Sequence, residues 1–242
     1  MSAIFKRELK SYFHTPLGYV FLGVYLAFSG GFFYLFTLTT STSVVSDVGT
    51  ADFGGMFSLM FFVLMLTVPL LTMRLFAEEK KNKTDQLLLT APVSLFGLVT
   101  AKFAAAFAVL LISTAAMPLY GVVLSAFTEV SWRTLLGNAL GLVLLGAVYV
   151  AVGTFVSALT ESQMLAAIVS VFINIGFLMS SIAAQYVPAG FAADALRQIS
   201  LLERYDRFTV GILEPENAVF FVSIAVVFLF LTVQMLERRR WA

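Results

Sequence analysis

The chain has 242 residues, of which 60% are hydrophobic and 12% charged, with 25 phenylalanines, no cysteine and a formal net charge of +1. Soluble domains average about 25% charged residues, so this composition excludes an ordinary soluble enzyme and leaves no room for a sizeable soluble domain. The missing cysteines exclude disulfides, thiol catalysis and thiolate-bound metals, and no nucleic-acid partner is expected.

In chain order, Phe5, Leu9, Tyr12 and Phe13 come first, at i, i+4, i+7 and i+8, with Lys6, Arg7 and Lys10 largely off that stripe. The pattern predicts an amphipathic helix over 3–15 lying in the headgroup plane, ended by Thr15-Pro16. His14 is read as an interfacial side chain. Six apolar runs follow, at 17–38, 56–73, 103–127, 135–160, 162–187 and 218–236, and none contains Asp, Glu, Lys or Arg. Each approaches or exceeds the roughly 20 residues a helix needs to cross a bilayer. Lipid cannot satisfy backbone groups, so the spans must be helical or close into a barrel, and the absence of period-two alternation excludes the barrel. The first run exceeds the apolar region of a secretory signal and is read as a retained helix.

The expected fold is therefore an all-α membrane protein, one domain over 1–242. Its spans are placed at 17–38, 56–76, 96–127, 135–160, 162–187 and 218–236, with a connection at 77–95 and outer helices over 188–217. In the second connection, Thr84 is a good N-cap for a short helix with Asp85 in its first turn, and Pro92 closes it. Leu87, Leu88 and Leu89 need a groove to enter. The link between spans four and five is only Thr160-Glu161-Ser162-Gln163, which also reads as an ordinary capped turn.

Within the spans, Pro69 and Pro118 should kink helices two and three. Gly137 and Gly141 form a small-residue pair suited to close packing. Asn174, the most polar side chain deep in span five, should face a helix or cavity that satisfies its amide. Phe32, Phe33, Tyr34 and Phe36 read as an interfacial aromatic belt. In the fifth connection, Leu196, Ile199, Leu202, Tyr205 and Phe208 recur every three or four residues, which predicts an amphipathic helix at the membrane surface. Arg204 and Arg207, with Asp206, are candidates for pairing across a dimer.

Lys and Arg near span ends resist translocation. Eleven of the 15 lie before span one (Lys6, Arg7, Lys10), between spans two and three (Arg74, Lys80, Lys81, Lys83, Lys102) or after span six (Arg238, Arg239, Arg240). Both termini are thus expected in the cytoplasm. Charge-free spans argue against a proton- or voltage-driven carrier, while a sodium site built from neutral oxygens stays open. No phosphate-cradling G-x-x-x-x-G-K-[ST] occurs, so ATP hydrolysis would have to come from another chain.

Arg74, Glu78, Glu79, Lys80, Thr84, Asp85, Leu87, Leu88, Pro92 and Lys102 follow in the order found in the permeases of the ABC-2 exporter family, which the chain resembles throughout. Phe5-Lys6-Arg7-Glu8-Leu9-Lys10-Ser11-Tyr12-Phe13, Pro16-Leu17-Gly18-Tyr19 and the Glu237-Arg-Arg-Arg-Trp241 ending resemble its gliding-motility-type subgroup. The resemblance implies a bacterial inner-membrane exporter subunit with an elbow helix at Phe5, Leu9, Tyr12 and Phe13. It implies a cytoplasmic coupling helix, with Glu78, Glu79, Thr84, Asp85, Leu87, Leu88, Pro92 and Glu161 meeting the ATPase. It also implies an extracytoplasmic helical hairpin between spans five and six, where Tyr205, Arg207 and Phe208, with Asn174 in span five, are candidates for a pathway or gate. No cofactor is expected in this chain. ATP and magnesium would be bound by partner ABC ATPase subunits, and a second copy, or a related permease carrying an outer domain, would complete the assembly among membrane lipids. The stretch from Lys80 to Lys83 lacks the glycine that many relatives place just before the threonine, and Asn82 is expected to supply the left-handed turn. The alternative is a scaffold that passes an ATPase's movement to outer proteins without moving a solute.

Overall fold

The computed structural model describes residues 2–38, 53–84, 94–127, 129–188, 190–209, 211 and 214–241. Among them every regular element is helical. The helices are α1 (Ser2–His14), α2 (Pro16–Phe32, continued by a π-helical turn Phe33–Leu38), α3 (Gly54–Thr72), α4 (Ala77–Lys81), α5 (Leu95–Thr114), α6 (Met117–Ser125), α7 (Trp132–Leu159), α8 (Gln163–Tyr186), α9 (Phe191–Ile199), α10 (Leu201–Thr209) and α11 (Pro215–Trp241). Six stretches are long and apolar enough to cross a membrane: Pro16–Thr37, Gly54–Lys81, Leu95–Ser125, Trp132–Leu159, Gln163–Tyr186 and Pro215–Arg239. The expected all-α architecture with six spans is present, and both termini lie at the same end of the bundle.

Local chemistry sets several boundaries. Thr15 is extended (φ −103°, ψ 153°), as a residue before proline must be, and its hydroxyl donates to the Ser11 carbonyl at 2.9 Å. Pro16 then sits in the first turn of α2, where its missing N–H costs nothing. Ser94 caps α5 by accepting from Gly97 N–H at 3.3 Å, and Ser162 caps α8 through Leu165 N–H at 3.4 Å. The third span breaks at Ala115 and Ala116, with Pro118 in the first turn of α6.

The central helix is α7, which packs on α3, α5, α8, α10 and α11. Its middle, Val148, Tyr149, Val150, Ala151 and Val152, is fully buried on every side. Glycines admit the neighbours: a Cβ on Gly141 would stand 2.8 Å from Phe208 Cβ, and one on Gly153 would strike Thr72. The small-residue surface of span four therefore receives other helices of the same chain. By contrast, α2, α8 and α11 expose apolar side chains such as Val20, Phe172 and Phe230, as lipid-facing helices do.

Four expectations need correction. Lys102 lies inside α5 and is only 1% exposed, so a membrane helix does carry a buried charge. Asn174 is buried on α8, yet neither amide atom finds a partner among the described residues. The apolar period from Leu196 to Phe208, read as one amphipathic helix, is split between two, broken at Ser200, whose hydroxyl accepts from Glu203 N–H at 3.2 Å and so starts α10. In the aromatic belt, Phe33 is buried and stacked on Tyr120 at 4.7 Å, leaving Tyr34 and Phe36 exposed.

Candidate functional site

At the end that carries the termini, α3 does not stop at Thr72 but runs through a turn into the five-residue α4. This short arm closes with two bonds: Lys83 N–H donates to Lys80 O at 3.0 Å and Thr84 N–H to Glu79 O at 2.9 Å. The pair is a Schellman closure, which requires a left-handed residue between them. Lys83 supplies it, with φ 57°, whereas Asn82 sits at φ −86°. The left-handed turn was expected at Asn82; the bonding places it one residue later, at Lys83. The Thr84 hydroxyl also donates to Glu79 O, at 3.2 Å. Beyond Thr84, residues 85–93 lie outside the described residues, and with them the expected coupling positions Asp85, Leu87, Leu88 and Pro92.

One flank of the arm is electrostatic. The Lys102 ammonium reaches Glu79 at 2.9 Å, Glu8 of α1 at 3.3 Å and the Leu75 carbonyl at 2.6 Å, and it lies 5.1 Å from the centre of the Phe76 ring. Arg7 adds bonds to Glu8 at 2.8 Å and Glu79 at 3.4 Å. Burial opposes ionisation of Glu8 most strongly, but Lys102 and Arg7 together outweigh it and hold its carboxyl below the usual carboxylate value. One turn along α1, the Arg74 guanidinium donates to Ser11 Oγ at 2.9 Å and lies 5.0 Å over the Tyr12 ring. Tyr12 is buried and donates to Leu71 O at 3.0 Å. Between these groups lies a polar cavity of about 480 Å³.

The other flank is backbone chemistry. Ser157, near the end of α7, accepts from Phe76 N–H at 3.0 Å and Ala77 N–H at 3.1 Å while donating to Met73 O at 3.0 Å. These are the amides left open where α3 ends and α4 begins. The buried Lys80 ammonium donates to the Ala158 carbonyl, placing a cation at the C-terminus of α7, where the helix dipole favours it. The neighbours Glu79 and Lys80 thus tie the arm to opposite sides, one to α1 and α5 and the other to α7.

The remaining predicted positions separate. Phe5, Leu9 and Phe13 are partly buried against the core. Glu78 is exposed on the arm. Glu161, with Ser162, Gln163, Met164 and Lys81, lines a hollow of about 410 Å³, so the link between α7 and α8 shares one surface with the arm. At the opposite end, Tyr205 and Phe208 of α10 are buried: Tyr205 donates to Phe57 O at 2.8 Å and Phe208 packs 6.2 Å from Phe221. Arg207 pairs with Glu214 at 2.9 Å, and Arg204 donates to Asn217 at 3.0 Å while covering the Phe220 ring at 4.1 Å. Both arginines expected to reach across a dimer are therefore engaged within the chain. Among the described residues, no bond brings Asn174 together with this group.

Lys80 and Lys102 stood in the sequence only as charges that orient the chain and carry the resemblance, and Ser157 drew no attention. No local spacing signals these contacts: the partners lie 23 (Glu79–Lys102), 72 (Glu79–Arg7), 78 (Lys80–Ala158) and 94 (Glu8–Lys102) residues apart.

A profile described as ABC-2 family transporter protein matches residues 36–234. The chain belongs to the ABC-2 transporter family. It is a multi-pass permease, the non-catalytic transmembrane component, and family membership implies partnership with an ABC ATPase. No curated protein matches the permease sequence.

Proposed function

We propose that this permease is the membrane subunit of an ATP-driven exporter of the gliding-motility-type subgroup, seated in a bacterial inner membrane with both termini in the cytoplasm. The observation that carries this reading is the doubly tied arm α4, which leads straight into the Thr84–Pro92 segment expected to form the coupling helix. A helix seated in an ATPase transmits motion only if its root is fixed to the spans, and α4 is fixed on both flanks. The partner ATPase binds ATP and magnesium; their closure on nucleotide pushes the coupling segment, and α4 hands the movement to α7 and α5. The hollow formed by Glu161 and Lys81 serves as the second contact. The positive-charge asymmetry, the resemblance of the N-terminal and C-terminal stretches, and pairing with a second copy or a related permease carrying an outer domain fit the same picture. Buried Tyr205 and Phe208 make α10 a plug on the outer side of each subunit.

The test is purification in nanodiscs from the native membrane, comparing wild type with Leu87→Asp/Leu88→Asp. Co-purification of an ABC ATPase with wild type, and its loss or uncoupling in the double variant, is expected. A wild-type-like double variant would remove the coupling role from this segment.

A further inference from the structure

Among the described residues, every carboxylate that faces the polar cavity at the root of the arm has an ion-pair partner except Glu78, and every cation has one except Arg74. Glu8 and Glu79 are held by Lys102 and Arg7. Arg74 has no carboxylate within 4 Å among the described residues; Glu78, one turn further on, lies beyond that distance. Arg74 is instead held by two neutral groups, Ser11 Oγ and the face of Tyr12. Tyr12 is itself fixed by its bond to Leu71 O and by complete burial. The guanidinium is thus aimed and half-buried but not neutralised, on the wall of a cavity whose rim includes Asn82 and Thr84, where the coupling segment departs.

A planar guanidinium whose fork is oriented by neutral supports matches a carboxylate in two-point geometry. We infer that Arg74 is a docking point for a carboxylate side chain of the partner ATPase, a contact separate from the leucines of the coupling segment. The inference rests on the proposed partnership with an ATPase. Pre-orientation lowers the entropy lost when the pair forms, and the partial burial of Arg74 shields the pair from solvent. Such a contact would link the ATPase to α1 as well as to α4, since Ser11 and Tyr12 hold the same guanidinium.

The test uses the complex purified in nanodiscs with its ATPase. The Arg74→Lys variant keeps the charge and introduces an amine, which a zero-length carbodiimide joins to a touching carboxylate. Mass spectrometry of the linked peptide is expected to find residue 74 bonded to an Asp or Glu of the ATPase. Arg74→Gln should weaken ATPase association about tenfold, with Arg74→Lys, which keeps the charge but not the two-point fork, restoring only part of it and detergent melting temperature little changed in either. A link from residue 74 to a carboxylate of its own chain, such as Glu78 or Asp85, or no link while the ATPase co-purifies, would overturn the inference and leave the function standing. Failure of any ATPase to co-purify would overturn both.

Discussion

Lys102 concentrates the electrostatics of the permease at one atom. Its ammonium is 1% exposed, while Glu8 and Glu79 are 15% and 17% exposed, so removing it leaves two largely buried carboxylates sharing only the solvent-exposed Arg7. Lys102→Met should therefore destabilise by about 3 kcal/mol, read as a fall in melting temperature in detergent. Combining it with Glu8→Gln and Glu79→Gln should recover most of the loss, because the penalty belongs to the stranded charges. A triple variant no better than the single one would mean that the stem of Lys102 matters more than its charge. Lys83 offers the opposite case. A non-glycine residue at φ 57° bears a Cβ clash worth about 1 kcal/mol, so Lys83→Gly should stabilise the arm by about that amount. A lower melting temperature would show that the lysine side chain contributes something the clash conceals.

The spans were legible in the sequence because long charge-free runs have only one solution in lipid. The N-terminal helix was legible from its stripe, and the break near Pro118 from its ring. What escaped was anything settled by a distant partner: span three was placed over 96–127, which includes Lys102, but the lysine was read only as an orienting charge and not as a buried one. The break at Ser200 was hidden because the apolar period runs unchanged through it, and a serine cap is visible only once the chain has turned. Residues 85–93, the heart of the expected coupling helix, lie outside the described residues, so that element stands on sequence alone. For α1, the salt bridges give a pH dependence. The Glu8 carboxyl is held below its ordinary value of 4.5, so its contribution is fully present above that value and is lost as pH falls below it. Docking of α1 should loosen on the acid side, and Glu8→Gln should flatten the wild-type decline in melting temperature below about pH 4.5. An unchanged slope in the variant would move the acid sensitivity to another group.

At the scale of the molecule, the arm and the central helix form one lever. Ser157 holds two open amides and one carbonyl of the arm, and Lys80 caps the end of α7, so a displacement of α4 must carry α7 with it or break four buried bonds. Since α7 touches α3, α5, α8, α10 and α11, a displacement of the arm would reach α10 through packed contacts, including the close approach of Gly141 to Phe208. The chain has no cysteine, so spin labels can be placed without background, at the exposed Lys81 on the arm and the exposed Leu136 near the far end of α7. The distance between Lys81→Cys and Leu136→Cys labels should stay constant when the ATPase binds and hydrolyses nucleotide. Adding Ser157→Ala strands two buried amides at a cost of about 2 kcal/mol, and the same distance should then broaden while the ATPase remains bound. A nucleotide-dependent change in the unmodified background would show that α4 pivots on α7, and the force would then have to travel through Lys102 and α5.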